Sequence, residues 1–269
     1  MKLTHKLCGA ALLAAVGIAA ALPANTKADD GVALEGKADI EFSSTASSST
    51  SFTNTSGSGD DIVTSGGPTS DANGFGVSYV TDINFGKHDI VAGAEAGPYW
   101  ATKWIGNEGK EDQVEGSHFV NFEDVRSVAD HSYTLSATLS KQFTTTIGTS
   151  TKKKLNGATL SYKNVAVREQ AKEAVTGFEA GAVKDTVTLS EGNIATFIDN
   201  ANGTGEETFD KGYGRYTLYF GKYEVAAPDA TSAEQSIQLT VPKEENTVIN
   251  NGKYTAEISW VLATTPTNP

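Results

Sequence analysis

Residues 254–262 read YTAEISWVL, and the alternation within them decides the fold. Tyr254, Ala256, Ile258, Trp260 and Leu262 fall on one side, and Thr255, Glu257, Ser259 and Val261 on the other. Successive side chains of an extended chain point to opposite faces, so this pattern specifies a strand with one buried and one solvated face. The Trp260 ring belongs to the buried one. Residues 132–143 repeat the arrangement, with Tyr133, Leu135, Ala137 and Leu139 opposed by Ser132, Thr134, Ser136 and Thr138. Each strand carries an aromatic and, two residues later, a Leu on its apolar face. Both are expected in one core, where burying each ring is worth about 2–3 kcal/mol.

Working outward, short runs rich in Val, Ile, Thr, Tyr and Phe recur between Gly, Asn and Asp, as strands do between turns. They cover residues 77–85, 118–122, 132–143, 158–167, 184–189, 213–220 and 236–241, in addition to 254–262. Residues 37–42 alternate as well, with Ala38, Ile40 and Phe42 on one side, which predicts a first strand. Asn250-Asn251-Gly252 is a tight-turn signal that predicts a hairpin between 236–241 and the last strand. Only residues 167–180 have a helical option, which Gly177 and Gly181 cut short. The layout is all-β, an antiparallel β-sandwich.

The chain begins with Lys2 and Lys6, an apolar run over residues 7–22, Pro23 and the small-residue site around Ala28, which predicts a secretory signal peptide over 1–28. The apolar run is shorter than the roughly 20 residues that span a bilayer, and no later stretch is apolar for as long, so no membrane span is expected. Residues 29–74 hold the first strand and a Ser/Thr/Gly-rich segment that reads as flexible, and residues 75–269 form the β domain. The one cysteine, Cys8, lies in the predicted signal, ahead of its apolar core, so the mature chain has no thiol, disulfide or lipid attachment site. Loss of the signal removes three Lys and leaves 18 basic against 33 acidic residues, so the formal charge moves from −12 to −15. That balance argues against nucleic acid or anionic lipid as a partner, and against attachment to an anionic wall by bulk charge.

At this point the pieces become recognisable together. HFVNFEDVRSVADHSYTLSATLSKQF (118–143), LNGATLSY (155–162), SIQLTVP (236–242) and KYTAEISWVLATTP (253–266), in that order, resemble the WxL surface domains of low-GC Gram-positive bacteria. VSYVTDINFGKHDI (77–90) looks like that family's first domain strand, and FGK (220–222) like a further landmark. The family has two Trp-x-Leu motifs. The distal one stands here as Trp260-Val261-Leu262, while the proximal one is Tyr133-Thr134-Leu135, with Tyr in place of Trp; Tyr216 likewise stands near where a Trp is common. The resemblance implies a secreted, non-enzymatic protein held without a covalent bond to peptidoglycan or another wall polymer. It also implies companions, namely other WxL-type or wall-anchored surface proteins. The alternative is an adhesin or assembly component whose main partner is a host or bacterial surface protein.

For the site itself, alternation makes Tyr133, Leu135, Trp260 and Leu262 core residues and not ligand contacts. Tyr99, Trp100 and Trp104 sit in a Gly-rich loop, 93–109, without clean alternation, and are either the candidate ligand contacts or a plug for the end of the sandwich. His88, His118 and His131 lack the paired spacing of a metal site, and no cofactor or metal is expected. Asp130-His131-Ser132 has a catalytic triad's residue types, but as chain neighbours they point apart. Residues 200–207 lack the spaced acids of a calcium loop, and Leu22-Pro23-Ala24-Asn25-Thr26 lies at the wrong end for sortase anchoring. Lys152-Lys153-Lys154 is a basic cluster expected on a solvated loop.

Overall fold

The strand read from residues 254–262 runs on as β16 (Gly252–Thr264) in a computed structural model that describes residues 33–43, 74–90, 97–169, 177–201, 211–223 and 232–265. The predicted signal peptide and nearly all of the Ser/Thr/Gly-rich segment lie outside the described residues. β16 lies inside a six-stranded sheet, antiparallel to β1 (Leu34–Ser43) on one side and to β8 (Tyr133–Ile147) on the other. β13 (Ile194–Asn200) pairs with β8, β3 (Ile83–Asp89) pairs with β1, and β9 (Thr151–Lys154) folds back on the far half of β8. Of the strand pairs among the described residues, β1 with β3 alone is parallel.

Two four-stranded sheets complete the sandwich. One orders β12 (Val187–Leu189), β10 (Thr159–Tyr162), β15 (Ile237–Thr240) and β4 (Tyr99–Trp100). The other orders β11 (Val165–Glu169), β14 (Gly214–Phe220), β7 (Phe119–Asp124) and β2 (Phe75–Val80). Both send rings to the same face of the six-stranded sheet. Tyr162 and Phe220 lie 6.1 and 6.2 Å from the Trp260 ring, and Tyr99 lies 5.5 Å from Phe42. One continuous apolar core joins the three sheets, as an all-β sandwich requires. A two-stranded ribbon, β5 (Trp104–Gly106) with β6 (Val114–Gly116), carries a small satellite core of Trp104, Tyr79 and Phe119.

Several sequence-level expectations are corrected here. The run 77–85 is two strands in different sheets: at Thr81 and Asp82 the chain leaves β2 and enters β3, and the Asp82 carboxylate fixes the corner by accepting the Lys37 N–H at 3.1 Å. This detour through another sheet is the crossover that lets β1 and β3 run parallel. The run 158–167 likewise divides into β10 and β11, parted at Asn164, whose φ is 51°. The predicted hairpin does not form: residues 237–240 pair with β10 and β4, whereas β16 pairs with β1 and β8. Gly252 instead opens β16 against β8, where a Cβ would stand 2.8 Å from Thr145 Oγ1. Val167 belongs to β11 opposite Leu218, and residues 170–176 of the helical option lie outside the described residues. Lys152, Lys153 and Lys154 are in strand β9, not a loop. β13 carries Phe197 to within 4.7 Å of the Trp260 ring and has no clean alternation in its sequence to announce it.

Candidate functional site

The two Trp-x-Leu-type motifs form one structure. In the antiparallel β8–β16 pair Leu135 stands opposite Leu262, Ala137 opposite Trp260 and Tyr133 opposite Thr264. The Leu pair is therefore flanked by one ring on each side. Trp260 packs among Tyr162, Phe197 and Phe220. Tyr133 packs among Phe75, Phe122 and Phe178. All four motif side chains are at most 1 % exposed, which leaves them nothing to offer a ligand.

Tyrosine at position 133 is satisfied in this core. Its hydroxyl donates to the Gly212 carbonyl at 3.0 Å, and Asn200 Nδ2, 2.8 Å from the Lys211 carbonyl, lies so close over Gly212 that a Cβ there would meet it at 2.2 Å. Beside this cluster the fully buried Asp124 carboxylate accepts from Arg126 Nε and Nη2, each at 2.8 Å, and faces His131 Nδ1 at 2.9 Å. These contacts tie the end of β7 to the start of β8. Buried charge is retained only when paired and hydrogen-bonded, and this one is. Sequence reasoning missed the cluster, because nothing in the spacing of 124, 126 and 131 marks Asp124 as interior. His131 therefore turns to Asp124, while Ser132 Oγ donates to Asp130 at 2.6 Å, so these neighbours converge on no common point.

The three candidate contact aromatics part company. They lie on strands and not in an irregular loop. Tyr99, on β4, turns inward to Phe42 and His88, and burial raises its hydroxyl pKa. Trp104 is 7 % exposed, wedged against Phe119 at 5.2 Å and under β5 and β6, where a Cβ on Gly106 would strike its ring at 2.5 Å. Trp100 is half-buried on the other face of β4, next to Gln238, with the Lys163 ammonium 5.2 Å above its ring.

A surface cleft of about 590 Å³ opens beside Trp104, with Asp82, Asn84, Lys103, Asn107 and Lys110 among its walls. Its floor includes His118, buried, with Nε2 2.8 Å from the Thr102 carbonyl. A carbonyl only accepts, so that nitrogen carries the proton, and burial holds the ring neutral by lowering its pKa to about 4. Lys103 is committed to Glu115 at 2.6 Å. The described residues contain no group of three or more His, Cys, Asp or Glu able to hold a metal ion, and no helix long and apolar enough to cross a membrane.

The model of the family described as "WxL domain surface cell wall-binding" matches residues 35–266. This chain belongs to the WxL family. The match covers most of its length, from β1 to just past β16. No curated protein and no solved structure matches the chain. The family's description is of a wall-binding surface domain, not of a reaction. In this WxL domain the motif supplies the interior.

Proposed function

We propose that this WxL protein is secreted and attaches without a covalent bond to the peptidoglycan of the cell wall, as one member of a surface complex. The observation that carries this reading is the match to a wall-binding surface family across nearly the whole described β domain. The composition adds to it. A chain with formal charge −12 gains nothing from bulk attraction to an anionic wall, so its attachment rests on shape, hydrogen bonding and aromatic contact. The buried motif is the scaffold of that surface, and Trp100 is the candidate among the three aromatics that still has an outward position.

Sedimentation with cell walls tests the reading. The purified chain from Asp29 onward is expected to pellet with walls stripped of protein, and to do so at high salt, because the contacts are not those of net charge. Pelleting only with walls that retain their proteins points instead to the adhesin or assembly reading, with a surface protein as the partner.

A further inference from the structure

The outer faces of the sheets differ in charge. The six-stranded sheet shows an ordinary solvated face with ion pairs Lys253–Asp39 at 3.1 Å, Lys87–Glu41 at 3.1 Å and Lys141–Glu257 at 2.8 Å. The sheet of β12, β10, β15 and β4 contains no charged residue in any of its strands. Its inward positions, Leu160, Tyr162, Ile237, Leu239 and Leu189, are at most 0 % exposed. Alternation therefore turns Ser161, Thr188, Gln238 and Trp100 outward, and the register sets them in one row across the sheet, in the order Thr188, Ser161, Gln238, Trp100.

The row is held together by side-chain contacts. Ser161 and Thr188 hydroxyls lie 3.2 Å apart, Lys163 Nζ donates to Gln238 Oε1 at 3.3 Å, and the same ammonium stands over Trp100. Thr159 and Thr240, paired with each other, add a second row of hydroxyls. Three strand spacings of about 4.8 Å give a flat strip roughly 14 Å long, the reach of a short oligosaccharide. We infer that this face, whose strands hold no charged residue, is where the wall glycan lies, a neutral N-acetylated sugar strand stacking on Trp100 and exchanging hydrogen bonds with Gln238, Ser161 and Thr188.

The chemistry selects that occupant. Sugar rings present C–H faces to an aromatic plane, and hydroxyl and amide edges to short neutral donors and acceptors. A protein partner would seek a larger apolar centre than one half-buried indole. An anionic wall polymer would find the cation at the row, Lys163, already engaged with Gln238 and the ring. The 590 Å³ cleft is the weaker place for a glycan, since Trp104 is interior and the walls carry charges of both signs.

This inference rests on the wall-attachment reading, and the test separates the two. The full mature chain, Trp100→Ala and Ser161→Glu are sedimented with protein-stripped walls, before and after acid extraction of anionic polymers. Ser161→Glu leaves the ring in place and sets a carboxylate in the middle of the row, so it serves even if Trp100→Ala folds poorly. Wild type is expected to bind both wall preparations, and each variant about tenfold more weakly, with Trp100→Phe close to wild type. Wild type that fails to pellet overturns the attachment reading and this one with it. Folded Trp100→Ala and Ser161→Glu that pellet like wild type overturn only the glycan face. Loss of wild-type binding on acid extraction makes the ligand an anionic polymer and overturns the assignment to neutral glycan.

Discussion

Trp260 and Trp100 lie on strands of different sheets, one under the centre of the sandwich and one on its outside. Trp260 is 1 % exposed among Tyr162, Phe197 and Phe220, on a strand with paired neighbours on both sides. Trp100 ends the two-residue edge strand β4, with a polar amide beside it and an ammonium above. The same indole serves stability in the first place and is available for recognition in the second. The residue type does not decide which; the face of the strand on which it stands does. The residue that gives the family motif its letter is interior here.

The comparison breaks first at Trp260. Trp260→Ala removes a buried indole packed among Tyr162, Phe197 and Phe220, and is expected to cost about 3–5 kcal/mol in thermal or denaturant unfolding. A variant that melts like wild type but no longer binds walls would put Trp260 in the binding surface. The satellite core of Trp104 gives the next largest effect, through pH. His118 titrates at about 4 when folded and near 6.5 when unfolded, so between those values the unfolded chain binds the extra proton. Stability is thus unaffected above about pH 6.5 and falls as the pH drops towards 4, by roughly 3 kcal/mol over the window. His118→Gln is expected to flatten that part of a melting-temperature-against-pH curve.

A smaller effect of opposite sign tests the Trp260 cage itself. The Tyr162 hydroxyl is buried without a hydrogen-bond partner among the described residues, so Tyr162→Phe is expected to raise stability by about 1 kcal/mol. A destabilised variant would show that the hydroxyl is satisfied in solution. Smallest of all, Trp100→Ala on the outer face is expected to change unfolding by less than about 1 kcal/mol. A cost near that of Trp260→Ala would erase the distinction between the two rings.

Much of this was legible in the residues. Alternation in 254–262 and 132–143 identified the central strands and their inward faces, and the order of the motif fragments identified the family, because a half-buried strand imposes a period of two on its own sequence. Partners were less legible. Asn250-Asn251-Gly252 has the chemistry of a hairpin turn, yet β15 and β16 separate into different sheets, a choice made by cores built from distant residues. β13 escaped notice because Phe197 and Ile198, adjacent at a register shift, are both buried and break the period. Within the stretch 93–109, Tyr99, Trp100 and Trp104 looked equivalent, and nothing local set Trp100 apart.

The sequence by itself determined that the domain is all-β, that Trp260 and Leu262 share a side with Tyr254, and that the net charge is acidic. Those are properties of composition and of one strand's geometry. Only the tertiary structure decided that Leu135 faces Leu262 across two strands, that Asp124 is interior, and that four separate segments of chain align Thr188, Ser161, Gln238 and Trp100 in an uncharged row. Pairing between strands is set by how whole faces fit together, and no stretch of chain carries that information alone.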